Sequence, residues 1–248
     1  MCRMMAVVGS REAAQKLLVP FREEARVGKV LPSMAPGHAD GWGVAYADPQ
    51  GALHHAGRST RNAIDDPTYP EAVARLSAAG ERTVVLAHVR KMTKGRLAVE
   101  HTHPFLLGGL ALAHNGTVQG VAPEGESDSA ALLSRIVEER RKGASVEDAI
   151  ATLARDVDRN HRYSSLTILV TDGRWLWGLR RVGNDPVACA PEQCAPDYYT
   201  LGHATLPDGS VVVSQEHDVL GLSGWRPVGD GEMVIVAPDG GVSTRKVL

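Results

Sequence analysis

Two short runs constrain this chain more than anything else in it. Thr83 to Val89 and Leu110 to His114 are almost continuously apolar, and both break off on polar residues: His88 and Arg90 at the end of the first, Asn115-Gly116 at the end of the second. A strand with one face in water alternates apolar and polar positions, whereas a strand covered on both faces does not need to. The chain therefore has to build layers on either side of these strands, and their ends deliver polar groups.

Many short elements surround them. After an apolar start at Met4 to Val8, Arg11 to Leu18 has helix-forming composition and is expected to stop before Pro20. Trp42 to Ala47 reads as a strand turned at Asp48-Pro49-Gln50-Gly51 into a second one. Pro70 suits the first turn of a helix over Glu71 to Ala79 that halts at Gly80. Asp128 to Lys142 is helical by composition and closes at Gly143. Ser145 with Asp148 resembles a capping box for a further helix, in which Val146, Ile150, Leu153 and Val157 form one apolar stripe. Leu166 to Thr171 and Arg174 to Arg180 flank Asp172-Gly173, a strong hairpin signal. Strands are also expected at Tyr199 to His203, Ser210 to Ser214 and Glu232 to Val236, with Asp239-Gly240-Gly241 turning a last hairpin. Strands with hairpins, then two adjacent helices, then strands again favour a layered α+β fold over alternating βαβ units.

Composition narrows the function. The 248 residues, 43% hydrophobic, can bury roughly three quarters of the unfolded surface without staples, and no linker divides them. Twenty-seven Lys and Arg against 29 Asp and Glu leave a net charge of -2 with no long run of either sign, so no nucleic-acid partner is expected. No apolar run approaches the roughly 18 to 20 residues of a spanning helix and no cleavable leader is visible, so the expectation is no membrane and a cytoplasmic location. Cys2, Cys189 and Cys194 are odd in number and far apart, which excludes a disulfide framework. No G-x-G-x-x-G or G-x-x-x-x-G-K-[ST] follows a strand, so the usual phosphate-cradling devices are missing.

Cys2 stands where its neighbours matter most. A small second residue favours removal of the initiator Met1, which would leave a cysteine with both a thiol and a free α-amine. Their unperturbed pKa values, about 8.5 and about 7.7 to 8.0, lie close enough for one to take the other's proton near neutrality. That is a self-contained nucleophile and base, the logic of N-terminal threonine. The plainer reading is a small hydrophobe near the start of a strand.

Five short elements in order change the balance: His38-Ala39-Asp40-Gly41-Trp42-Gly43, His88-Val89-Arg90-Lys91-Met92-Thr93, His103-Pro104-Phe105, His114-Asn115-Gly116 and Ser127-Asp128-Ser129. Together they resemble the class II glutamine amidotransferases, in a form closer to free-standing members than to domains fused to synthetases or synthases. The resemblance covers roughly residues 2 to 240. It implies a single domain over 2–248 with the four-layer αββα sandwich of N-terminal nucleophile hydrolases. It also implies an amidohydrolase that cleaves the γ-amide of glutamine or of a γ-glutamyl conjugate through a Cys2 thioester, with no cofactor and no metal. Arg90 then matches the clamp for the substrate α-carboxylate, a task that suits a planar guanidinium fork. Asp128 matches the acid that pairs the α-ammonium, Thr93 a substrate-contacting threonine, and Asn115 with Gly116 the oxyanion hole. Asp40-Gly41-Trp42-Gly43 resembles a supporting loop and strand, while His103 and Phe105 are expected to pack and hydrogen-bond beneath the site.

Each residue also has a plainer explanation. Asn-Gly is a common turn dipeptide, Thr93 is a solvated loop residue, and Asp128 at a helix start complements the helix dipole. Lys91, Met92 and Lys94 replace the aromatic, small and His residues of synthase-fused members, and Ser129-Ala130 stands where many relatives carry an acid. Those departures leave the leaving group open. Glutamine hydrolysis, a γ-glutamyl hydrolase of a thiol or ergothioneine type of pathway, and ammonia supply to a separate partner protein are the enzymatic options. A zinc hydrolase using His101, His103, His114 and Asp40 and a non-catalytic protein that binds a γ-glutamyl ligand or a partner are the rivals.

Overall fold

The computed structural model describes residues 2–30, 35–92, 97–183 and 198–248. In chain order it contains β1 (Arg3–Ser10), α1 (Arg11–Phe21), α2 (Glu24–Val27), β2 (Trp42–Ala47), β3 (Leu53–Ser59), α3 (Thr68–Arg75), β4 (Arg82–Val89), β5 (Phe105–Leu107), β6 (Leu110–Asn115), α4 (Asp128–Arg141) and α5 (Val146–Asn160). The remaining strands are β7 (Thr167–Thr171), β8 (Leu176–Arg180), β9 (Gly202–Thr205), β10 (Val211–Ser214), β11 (Arg226–Pro227), β12 (Glu232–Val236) and β13 (Val242–Lys246). They form two antiparallel sheets, ordered β11-β9-β10-β1-β4-β2-β3 and β13-β12-β8-β7-β6-β5.

Three apolar clusters stack these sheets into four layers. Met4, Ala6, Val8, Val84 and Leu86 of the first sheet meet Ala111, Ala113, Leu169 and Val234 of the second. The opposite face of the first sheet, with Met5, Val7, Val85 and Ala87, packs on Ala14, Leu17 and Leu18 of α1 and on Tyr69 and Ala72 of α3. The outer face of the second sheet, with Leu110, Leu112, Ile168 and Val170, takes α4 and the stripe Val146, Ile150, Leu153 and Val157 of α5. Burying each of these large aliphatic side chains contributes about 1.5–3 kcal/mol relative to exposure. The order is helix, sheet, sheet, helix: the expected αββα sandwich. Strands β4 and β6 lie inside it with both faces covered, which is why their apolar runs do not alternate.

The differences from the expected elements have local causes. Helix α1 continues through Pro20 to Phe21. Proline cannot donate within the helix, but it falls in the last turn, and Phe21 at 1% exposure anchors that turn in the core. Strand β9 starts three residues later than expected, because Tyr198 and Tyr199 pack their rings edge to face at 4.9 Å instead of pairing. The short β5, β11 and α2 carry too few residues for any periodicity to mark them. The Ser145 hydroxyl accepts from the Asp148 N–H at 3.0 Å, so the α5 cap is present. Among the described residues no helix is long and apolar enough to cross a membrane.

Candidate active site

Strand alternation decides which side chains meet. Side chains two apart share a face, so Cys2, directly before β1, continues the face of Met4, Ala6 and Val8 between the sheets. His88 and Arg90 continue the inward face of Val84 and Leu86, and Asn115 continues that of Ala111 and Ala113. Register does the rest. Arg3 pairs with Val89 across β1 and β4, which sets Cys2 beside Arg90. Cys2 N–H then donates to Asn115 Oδ1 of the facing sheet at 3.0 Å. Three residues that are far apart in the chain thus converge at one end of the interlayer space.

Cys2 is 9% exposed, and its thiol lies 3.8 Å from the Lys91 carbonyl oxygen as a weak donor. Asn115 is fully buried, with Nδ2 donating to Gln215 Oε1 at 3.1 Å. Gly116 follows on the cavity wall. A Cβ there would lie 1.9 Å from the Ser165 carbonyl oxygen, so no other residue fits the strand end at that spacing.

The cavity measures about 400 Å³, within the range of small-molecule sites. Cys2, Arg90, His103, Gly116 and Asp128 all line it. Arg90 is 8% exposed, and its Nη1 is buried without a partner among the described residues. A buried guanidinium nitrogen left without an acceptor is costly unless an anion supplies one. Asp128 begins α4 and already accepts from the Val118 N–H at 2.9 Å and the Ser129 N–H at 2.7 Å. These bonds fix the carboxylate on the cavity wall. Asp40 is a support: its N–H donates to the Arg90 carbonyl at 2.9 Å, and its Oδ2 accepts from the Met92 N–H at 2.8 Å. Gly43 allows β2 to pass the His103 carbonyl, which a Cβ would approach to 2.1 Å.

The histidines divide. His114 Nε2 faces the Ser165 carbonyl at 3.1 Å and Nδ1 faces Ser129 Oγ at 2.9 Å. Since a carbonyl only accepts, Nε2 is assigned the proton. His103 packs between His88 and Phe105, with ring centroids 4.4 and 4.7 Å away. It packs as expected, but among the described residues it has no hydrogen-bond partner: both ring nitrogens of His88 and of His103 lack one there. Burial pushes both imidazoles well below the ordinary histidine value, so they are neutral. Among the described residues, no three His, Cys, Asp or Glu side chains are grouped to hold a metal ion. Thr93, Cys189 and Cys194 lie outside the described residues.

Behind the chain end sits a buried charge cluster that the motifs did not reveal. Arg3 points away from the cavity, yet its Nη1 donates to the Cys2 carbonyl at 3.0 Å, and its Nε donates to Glu216 at 2.6 Å. Glu216 also accepts from the Lys29 N–H. Fully buried Glu24 lies beside it. Burial pushes the Glu24 carboxyl from 4.5 up to about 9, and the negative charge of Glu216 pushes it the same way. Burial also pulls Glu216 upward, but with Glu24 neutral beside it the Arg3 guanidinium and the Lys29 N–H outweigh burial and hold that carboxylate below its ordinary value.

The two carboxyls have opposite pH signatures. Between pH 4.5 and about 9 the unfolded chain releases a proton that folded Glu24 keeps, so this contribution to stability falls as pH rises through that window. The Glu216 contribution is present above its unfolded value and is lost only in acid. Gln at position 24 is neutral at every pH. In melting curves taken from pH 5 to 9, the Tm of Glu24→Gln is therefore expected to gain on wild type steadily toward the alkaline end; parallel Tm profiles would contradict this assignment.

An αββα sandwich of this topology, with an N-proximal cysteine beside a buried arginine on the wall of one cavity, is the arrangement of an amidotransferase domain. The chain belongs to the class II glutamine amidotransferases: the family model for glutamine amidotransferases class-II matches residues 1–190. It is 27% identical over 227 residues to YafJ of Escherichia coli (strain K12), a candidate glutamine amidotransferase, covering 79% of this chain and 84% of that one. The glutamine phosphoribosylpyrophosphate amidotransferase of B. subtilis superposes with a TM-score of 0.67 at 20% identity, over all of this chain and 49% of that one. This chain therefore spans about half the length of that enzyme. A glutamine aminotransferase class-II domain protein from Silicibacter pomeroyi superposes with a TM-score of 0.61 at 19% identity, over 99% of both chains. At these identities the structural likeness shows the fold.

Proposed function

We propose that the chain hydrolyses the γ-amide of glutamine or of a γ-glutamyl conjugate, with Cys2 as an N-terminal nucleophile once Met1 is removed. The observation that carries this reading is the junction at Cys2. Its nitrogen sits 3.0 Å from Asn115 Oδ1, while its side chain lines the same cavity as Arg90 and Asp128. The α-amine takes the thiol proton and the thiolate attacks the γ-carbonyl carbon. The Gly116 N–H and the second Nδ2 hydrogen of Asn115 stabilise the oxyanion. The amine then passes the proton to the leaving nitrogen as the C–N bond breaks, leaving a thioester. Water attacks that thioester, gives its proton to the amine, and releases glutamate and the thiol. Arg90 holds the α-carboxylate and Asp128 the α-ammonium.

The test is glutamate release from a panel of γ-glutamyl amides and peptides, with wild type and Cys2→Ala side by side. Turnover confined to glutamine supports a glutaminase, with ammonia as the product. Turnover of larger amides supports a γ-glutamyl hydrolase, and no glutamate from any of them overturns the reading. In the same assay Arg90→Lys, which loses the two-pronged fork, is expected to raise KM about 10- to 100-fold with a smaller change in kcat. An unaltered KM would remove Arg90 from the carboxylate site.

A further inference from the structure

Asn115 has two tasks in the reaction above, and they depend on which way its amide faces. Oδ1 and Nδ2 are nearly isosteric, so a half turn of the amide exchanges an acceptor for a donor with no change of shape. The partner at the nucleophile end does not hold the choice through the whole cycle. While the amine is protonated it can only donate, and it selects Oδ1. Once it has given up its proton it has a lone pair and can equally accept from Nδ2. The opposite side of the amide must then supply the direction.

Gln215 is what stands there. It follows β10 directly, is 1% exposed, and its Oε1 accepts from Asn115 Nδ2 at 3.1 Å. Its main chain is tied on both sides: its N–H donates to the Met4 carbonyl at 3.3 Å, and its carbonyl accepts from the Thr200 hydroxyl. The next residue, Glu216, holds Arg3, which in turn donates to the Cys2 carbonyl. One short segment therefore braces both the amide and the nucleophile's own peptide. Gln215 Nε2 has no partner among the described residues. Asn115 cannot reverse without setting its Oδ1 against Gln215 Oε1, two acceptors with no hydrogen between them, unless both buried amides turn together.

We propose that Gln215 is a positioning residue for the reaction: it locks the Asn115 amide so that Oδ1 faces the chain-end amine and a second Nδ2 hydrogen faces the developing oxyanion. This rests on the amidohydrolase reading, and it adds a residue that none of the five sequence elements contains. Gln215→Met keeps the length and shape of the side chain and removes the acceptor. It is expected to lower kcat about tenfold, part of the 10²- to 10³-fold attached to one oxyanion donor. KM for the γ-glutamyl amide stays within about twofold, since Arg90 and Asp128 are untouched. A second readout separates positioning from folding. Labelling of Cys2 by a glutamine-derived chloroketone, whose carbonyl oxygen needs the oxyanion site, slows in Gln215→Met, while labelling by iodoacetamide, which needs only the thiolate, does not.

Gln215→Glu keeps an acceptor toward Asn115 and restores kcat above the Met variant, with a shifted pH profile from the added charge beside the amine. Unchanged kcat and chloroketone labelling in Gln215→Met would overturn the inference while leaving the hydrolase reading intact. Loss of both labelling reactions together would reduce Gln215 to a packing residue and also overturn it. Glutamate release that survives Cys2→Ala would remove the reading and the inference together.

Discussion

Cys2→Ala is expected to lower γ-glutamyl amide turnover by at least about 10⁴-fold, the scale on which removal of a covalent nucleophile acts. The reason is chemical: no other described thiol faces the cavity, and although the α-amine remains in the Ala variant, water must then attack the amide directly, without the thioester route through sulfur. The same experiment can divide thiol from amine. Inserting one residue between Met1 and Cys2 keeps the thiol but turns its amine into an amide that cannot accept a proton. Iodoacetamide should still label that cysteine while glutamate release disappears. Intact mass of the parent protein supplies the control, because a chain lighter by one methionine carries the free amine. A parent chain that retains Met1 and still turns over would rule out the amine as base.

How much of this could be read in advance follows from the range of each interaction. Strands β4 and β6 were visible as apolar runs because burial on both faces is written into consecutive residues, and the polar groups at their ends marked the site. The α5 stripe was equally plain, since Val146, Ile150, Leu153 and Val157 all point one way. The charge cluster was not legible. Arg3, Glu24 and Glu216 come from three distant segments, and a lone acid in a short helix resembles any exposed acid until the fold buries it. Gln215 is a different kind of omission. It directly follows the apolar β10, as Arg90 follows β4 and as Asn115 closes β6, and the same rule of polar groups at strand ends would have singled it out. His103 shows the converse: its place beneath the site was anticipated, but its missing hydrogen bonds depend on neighbours that only packing reveals.

Asn115 allows the sharpest division between support and chemistry. Asn115→Ala is expected to lower kcat by about 10²- to 10³-fold through loss of an oxyanion donor. It also leaves the Cys2 nitrogen and Gln215 Oε1 without their partner, each costing about 1–3 kcal/mol of stability if no water replaces it. Asn115→Asp tests the chemistry with less disruption. The aspartate keeps an acceptor 3.0 Å from the Cys2 nitrogen, so the chain end stays in place, but it offers no donor to the oxyanion and sets a negative charge where one is about to form. The Asp variant should therefore be slower than the Ala variant in kcat, although it preserves the shape of the site better. KM should change only a few-fold in both, because the proposed holders of the glutamyl head group, Arg90 and Asp128, are untouched. If Asn115→Asp turned over at the wild-type rate, the amide would be a brace for Cys2 and nothing more, and the oxyanion would have to be stabilised by the Gly116 N–H without it.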